Sequence, residues 1–365
     1  MSMTPNMNCN VSTLDTRAAT TSRHHKIASS VPLVVDLCSG MGGLSCAAQR
    51  LGMEIALGVD LNKDAIRTFA RNFPKAETVP TTVGGAKTIE RCRVALKARN
   101  SAERPLVMLS GPPCQGFSAA GSRDPADKRN KVLLAVARAI KELQPLCALV
   151  ENVEMLLSNK YGGRVRDFEK HLNEGGFYCV SVVLNARDYG VPQNRSRTFF
   201  FVTRELLDRA DVQRRLDLLR QPELTVEEAF RGLPAAEVRG ATYDDEADHG
   251  PVPNHLAMRH SSHVQKKISK IPVGGGPMSY RKLDPKKPAK TIFSGHRAPP
   301  AHYFYPRSIT VREAARLQGF PDDFRIYGAF ANQMMQVTNA VPPPLATAVL
   351  RVLAEMTGLT IRPHA

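Results

Sequence analysis

The segment GPPCQGFS at 111–118 sets Cys114 behind two prolines and in front of a glutamine and a glycine. A thiolate is a strong nucleophile, and prolines at 112 and 113 fix φ and narrow the directions in which the thiol points. A lone cysteine is more often a small buried apolar residue, so its surroundings must decide. ENV at 151–153 ends an apolar run on a carboxyl, Glu151, and QNRSR at 193–197 spaces Arg195 and Arg197 two apart, on one face of an extended chain. Taken singly, these read as a surface acid and a salt-bridging arginine pair. Taken together, a thiol, a carboxyl for a ring nitrogen and its amino group, and guanidinium donors for a carbonyl oxygen are the set that activates a pyrimidine.

Such groups act together only if the fold brings them to one place. VPLVVDL at 31–37 is a β-branched apolar run of buried-strand type, followed by the turn CSGMGG and a helical pattern over 44–51. Further strands are expected at EIALGVDL (54–61), PLVMLS (105–110), LCALVEN (146–152), FYCVSVVLN (177–185) and TFFFVT (198–203), with helices such as 131–143 and 164–172 between them. This alternation predicts an α/β fold with a doubly wound, mostly parallel sheet, whose ligands sit outside the carboxyl ends of the strands. Cys114 and Glu151 both follow such ends.

The glycine turn, Gly40, Gly42 and Gly43, lets backbone approach a ligand closely. It lacks the full GxGxxG dinucleotide pattern and the Lys-Ser/Thr of a phosphate loop, so S-adenosylmethionine fits it at least as well as NAD. Asp60 falls about 20 residues beyond the first turn glycine, where such folds place an acid against ribose hydroxyls. Asp36 has two readings, a partner for a cofactor's ammonium group or a cap on the turn.

Composition bounds the partners. The 365 residues carry 50 Lys and Arg against 34 Asp and Glu, a net charge of +16 that favours a polyanion. The excess is uneven. Residues 205–248 hold twelve acids, whereas 249–300 hold ten Lys and Arg, five His and the single acid Asp284. That basic run is either a solvated face or a surface that follows phosphates. No secretory signal or apolar span of membrane length is seen, and residues 1–30 read as a polar, disordered lead-in. Seven cysteines without a CxxC pair fit a reduced, cytoplasmic compartment rather than disulfides or a metal site. The glycine- and charge-rich stretch 116–131 reads as a lid or as an ordinary polar surface loop.

DLCSGMGGLS (36–45), VDLNKDA (59–65), GPPCQGFS (111–118), QPLCALVENV (144–153), NARDYGVPQNRSRTFFF (185–201), PAKTIFSG with YFYPRSITVREAARLQGFPDDF (288–324) and QVTNAVPPPLA (336–346) together resemble, in order, the motifs of the bacterial-type DNA (cytosine-5)-methyltransferase family. The resemblance implies a catalytic and cofactor-binding domain over 31–204, an inserted target-recognition domain over 205–287 and a return segment over 288–365. It implies Cys114 as the nucleophile at C6 of a flipped cytosine in duplex DNA, Glu151 at N3 and the exocyclic amine, and Arg195 and Arg197 on the O2 side. Asp36, Leu37, Gly40, Gly42, Gly43, Leu44, Asp60, Leu61, Pro112, Asn339, Ala340 and Val341 would line the S-adenosylmethionine site. Gln115, Ser118, Ser122, Arg123, Lys128 and Gln193 would meet DNA, with no metal. A monomer in a bacterial cytoplasm is expected, compatible with a separately acting cognate restriction endonuclease.

The chain departs from the family pattern at Cys38, Asp60 and Leu61, in PTTVGGAKT (80–88), which lacks the usual acid, and at Thr338, where a β-branched residue is strained if the backbone needs positive φ. A tRNA cytosine methyltransferase of the same fold and a catalytically silent DNA-binding module are the alternatives. An NAD-dependent oxidoreductase leaves GPPCQGFS and QNRSR unexplained.

Overall fold

The computed structural model describes residues 30–113, 132–158, 161–238, 251–277, 280–293 and 299–362. Its centre is a seven-stranded sheet of β1 (Leu33–Leu37), β2 (Glu54–Asp60), β3 (Glu77–Pro80), β4 (Leu106–Ser110), β5 (Cys147–Val153), β6 (Tyr178–Asn185) and β7 (Ser196–Thr203). They lie in the order β3-β2-β1-β4-β5-β7-β6, and every strand runs parallel to its fellows except β7, which is antiparallel to both β5 and β6. The mostly parallel α/β sheet expected from the sequence is thus present, with one reversed strand carrying the QNRSR end.

Helices α1 (Gly43–Arg50), α2 (Lys63–Asn72), α3 (Ala86–Lys97), α4 (Val132–Leu143) and α5 (Gly162–Asn173) cover the sheet. Because successive strand side chains point to opposite faces, Val34 joins the core under α1 while Leu33, Val35 and Leu37 join the core under α3, α4 and α5. Burial on both faces is why β1 reads as an unbroken apolar run. Strand β3 escapes that reading because its residues are only half buried and it forms the sheet edge.

Beyond β7 come α6 (Arg209–Asp217), α7 (Val226–Phe230) and α8 (Ser262–Ser269), then α9 (Val311–Leu317), α10 (Phe330–Asn339) and α11 (Pro343–Thr357). Beyond residue 205, Val212, Leu216, Val226 and Phe230 are buried in the same core as α1 and α11. Two short parallel strands, Glu237–Val238 and Leu256–Ala257, lie further on.

The return segment is fastened by side chains. Thr310 and Glu313 form a reciprocal capping box at the start of α9, and Arg307 chelates Glu313 at 2.7 and 2.8 Å. Arg312, fully buried, donates to the carbonyls of Pro253, Pro321 and Phe324 at 2.9, 2.7 and 2.5 Å. Burial draws its pKa down to about 10, so it stays charged at neutral pH and bonded by necessity. At the end of the chain Arg362 N–H bonds the Leu51 carbonyl at 3.0 Å, returning the polypeptide to α1.

Candidate active site

The carboxyl ends of β1, β2, β4 and β5 open into a cavity of about 1540 Å3. Its first end is the turn after β1. Gly40 and Gly42 take positive φ of 53° and 99°, and so does Cys38 at 58°, a conformation costly for a residue with a side chain. A Cβ on Gly40 would meet no atom within 4 Å, whereas one on Gly43 would lie 2.2 Å from the Val341 carbonyl oxygen. Glycine at 43 therefore lets the helix start press against the return segment, and glycine at 40 leaves the cavity floor bare.

Asp60 closes this end. Its two oxygens accept from Gly40 N–H and Asn62 N–H, both at 2.8 Å, so one carboxylate holds the glycine turn against the start of α2. Gly40, Gly43, Leu44, Asp60, Leu61, Pro112, Asn339, Ala340 and Val341 all line the cavity, joined by Thr81 and Thr82 beyond β3. The other three expected cofactor contacts are placed differently. Leu37 and Gly42 are buried in packing rather than in the wall, Gly42 against Phe73. Asp36 is also outside the wall: it accepts from Ser45 Oγ at 2.7 Å, and burial raises its pKa to about 7. Its other oxygen, Oδ1, is buried with no hydrogen-bond partner among the described residues. Thr338 sits in the last turn of α10 without positive φ, so its β-branch carries no backbone strain.

The second end is built on β5 and β7. Glu151 stands opposite Phe199 and Arg197 opposite Val153, which puts Glu151 and Arg197 on a diagonal of one face. Arg197 Nε meets Glu151 Oε1 at 2.8 Å, with both side chains nearly sealed from solvent. Burial pushes the Glu151 pKa up, and the charges of Arg197 and Arg195 pull against it without cancelling it. Arg195 turns instead toward the return segment and donates to the Thr338 and Ala340 carbonyls at 2.8 and 3.2 Å. Asn152, which the sequence reading passed over, donates to the Pro112 carbonyl at 3.2 Å and so ties β5 to the proline loop after β4. A Cβ on Gly111 would stand 3.6 Å from Glu151 Oε2, so the loop that leads to residue 114 starts beside the carboxyl.

Gln193, expected at the DNA, is held by protein partners. It is fully buried, donates to Leu317 O and Gln318 Oε1 and accepts from Ile292 N–H, so it joins the segment just before β7 to the return segment. Cys114, Gln115, Ser118, Ser122, Arg123 and Lys128 lie outside the described residues. Among the described residues, burial raises the thiol pKa of Cys38, Cys46, Cys92, Cys147 and Cys179, the last three named to about 12 for 92, 147 and 179. None of these five supplies a thiolate at neutral pH. No helix of the described residues is long and apolar enough to cross a membrane, and no cluster of three His, Cys, Asp or Glu in them forms a metal site.

An acid and an arginine paired in a dry wall, beside a proline loop and a bare glycine turn, invite comparison with known proteins. Residues 33–355 match the family of C-5 cytosine-specific DNA methylases. The chain belongs to that family. This methylase is 30% identical over 352 residues to the type II methyltransferase M1.HphI of Haemophilus parahaemolyticus, covering 88% of this chain and 86% of that one. It is 30% identical over 365 residues to M.XorII of Xanthomonas oryzae, covering 87% and 83%. A solved structure named for a prophage-encoded DNA modification methyltransferase of E. coli superposes with a TM-score of 0.70 at 29% identity, over 89% of this chain and 99% of that one. The methylase is accordingly a DNA cytosine-5 methyltransferase, an enzyme of an S-adenosylmethionine-dependent family.

Proposed function

We propose that this methylase carries a methyl group from S-adenosylmethionine to C5 of a cytosine turned out of duplex DNA, with Cys114 as nucleophile. The observation that carries the reading is the buried Glu151–Arg197 pair at the start of the proline loop. The first end of the cavity suits the cofactor: Gly40 leaves room at the floor, Asp60 keeps lone pairs beyond its two N–H bonds, and Leu61 offers an exposed apolar face. Bound there, S-adenosylmethionine supplies an electrophilic methyl group.

The chain's own residues do the rest. The Cys114 thiolate adds to C6, and the electron pair of the C5–C6 bond becomes available at C5. Glu151, whose raised pKa suits it to carry a proton, neutralises N3 as charge enters the ring and accepts from the exocyclic amine. Arg197 holds that carboxyl in place and offers its remaining N–H groups to the O2 side, while Arg195 fixes the segment 338–340 behind it. Loss of the C5 proton to a base then re-forms the double bond and expels the thiolate. Turning the cytosine out of its stack costs a few kcal/mol, which contacts to the strand must supply. Residues 205–287 are proposed to select the target sequence.

The test is a covalent trap. Duplex DNA carrying 5-fluorocytosine, incubated with protein and S-adenosylmethionine, should leave a denaturation-resistant adduct at Cys114, and Cys114→Ser should form none while still binding DNA. A folded protein that forms no adduct with any such duplex would refute the reading. An adduct with 5-fluorocytosine tRNA and none with duplex would select the RNA alternative.

A further inference from the structure

Among the described residues, four cations line the cavity: Arg195, Arg197, Arg281 and Lys290. The first two are committed, Arg197 to Glu151 and Arg195 to main-chain carbonyls. The Arg281 guanidinium and the Lys290 ammonium have no acceptor among the described residues, and the nearby Asp284 is engaged by Lys287. Both backbones are nevertheless fixed. Lys290 pairs with Asn194 in a two-stranded parallel ladder, and the Arg281 carbonyl accepts from Ala301 N–H at 2.9 Å. Two uncommitted cations on a fixed scaffold at a cavity wall are a site awaiting anions.

We infer that Arg281 and Lys290 grip backbone phosphates of the DNA strand that carries the target cytosine, holding the strand while its base occupies the pocket beside Glu151. This rests on the function proposed above. The competing anion is the cofactor's carboxylate. Lys290 pairs with Asn194, two residues before β7 begins, and four strand spacings, roughly 19 Å, separate β7 from Asp60 on β2. That distance places the pair at the base end of the cavity, with the phosphates.

The experiment measures duplex binding by fluorescence anisotropy over a range of salt concentrations, in the presence of S-adenosylhomocysteine, for the full chain and for Arg281→Gln/Lys290→Gln. Each phosphate contact contributes about 0.9 to the slope of log affinity against log salt, so the double variant should lose about 1.8 from that slope and each single variant about half of it. Arg281→Lys/Lys290→Arg, which keeps both charges, should keep the slope. S-adenosylhomocysteine affinity by calorimetry should change less than about twofold, which also reports that the variants are folded. An unchanged slope in the double variant overturns the inference, as does weakened S-adenosylhomocysteine binding with the slope intact. Binding is read independently of the covalent trap, so a chain that binds duplex but forms no adduct refutes the reaction and not this contact.

Discussion

The two ends of the cavity are held together by different means. At the nucleotide end, β1, its glycine turn, α1 and the end of β2 lie within 30 residues, and one carboxylate, Asp60, bonds two nearby N–H groups. At the base end, the parts come from residues 111, 151, 195–197, 281–293 and 338–341, and most of the bonds that join them end on main-chain carbonyls. The first end is framed mainly by local spacing, with Val341 of the return segment pressed against Gly43, and the second by long-range closure throughout. Damage at the first end should therefore read as lost cofactor affinity or stability, and damage at the second as lost turnover.

The largest effect expected from breaking this contrast is at Glu151. Glu151→Gln keeps the shape but removes the proton carrier, so kcat should fall about 10²- to 10⁴-fold, with S-adenosylhomocysteine affinity by calorimetry unchanged. Asp36 sharpens the other end. Its folded pKa of about 7 lies above the unfolded value of 3.8, so the stability it contributes is full below pH about 4 and drains away as pH rises to about 7. Asp36→Asn should flatten that decline, recovering on the order of 4 kcal/mol at pH 8 in denaturant titrations while leaving the acid side unchanged. Gly43→Ala drives a methyl group into the Val341 carbonyl. A loss of about 1–3 kcal/mol in unfolding free energy is expected, together with weaker S-adenosylhomocysteine binding. Thr310→Ala removes one half of the α9 capping box and should lower stability by about 1–2 kcal/mol without moving cofactor affinity. If Gly43→Ala lowered kcat alone, or Glu151→Gln abolished cofactor binding, the division between the two ends would be wrong.

The same division governs what can be read in the residues. Strand β1, its turn and α1 are legible because full burial writes an apolar run and the turn demands glycine. Glu151 and Arg197 are legible as types at strand ends, but their 2.8 Å pairing depends on the antiparallel register of β7, which no local pattern announces. Gln193 closes over a longer distance in sequence: its partners are Leu317, Gln318 and Ile292, some 100 residues away or more. Asn152 and the pairs at 281–301 close on backbone atoms, and a carbonyl carries no side-chain signature. The family resemblance bridged part of that gap.

The contact of Gly43 with Val341, and the bonds of Arg195 to the carbonyls of residues 338 and 340, have a consequence for the making of the enzyme. A ribosome adds about 5–20 residues per second, so roughly 15 to 60 s separate the emergence of the glycine turn from that of its far wall. During that interval the nascent chain holds most of its sheet but only one side of its cofactor pocket. Methylating power therefore arrives late, with the last turn of α10, and a chain cut short before it is a sheet that cannot close on its cofactor.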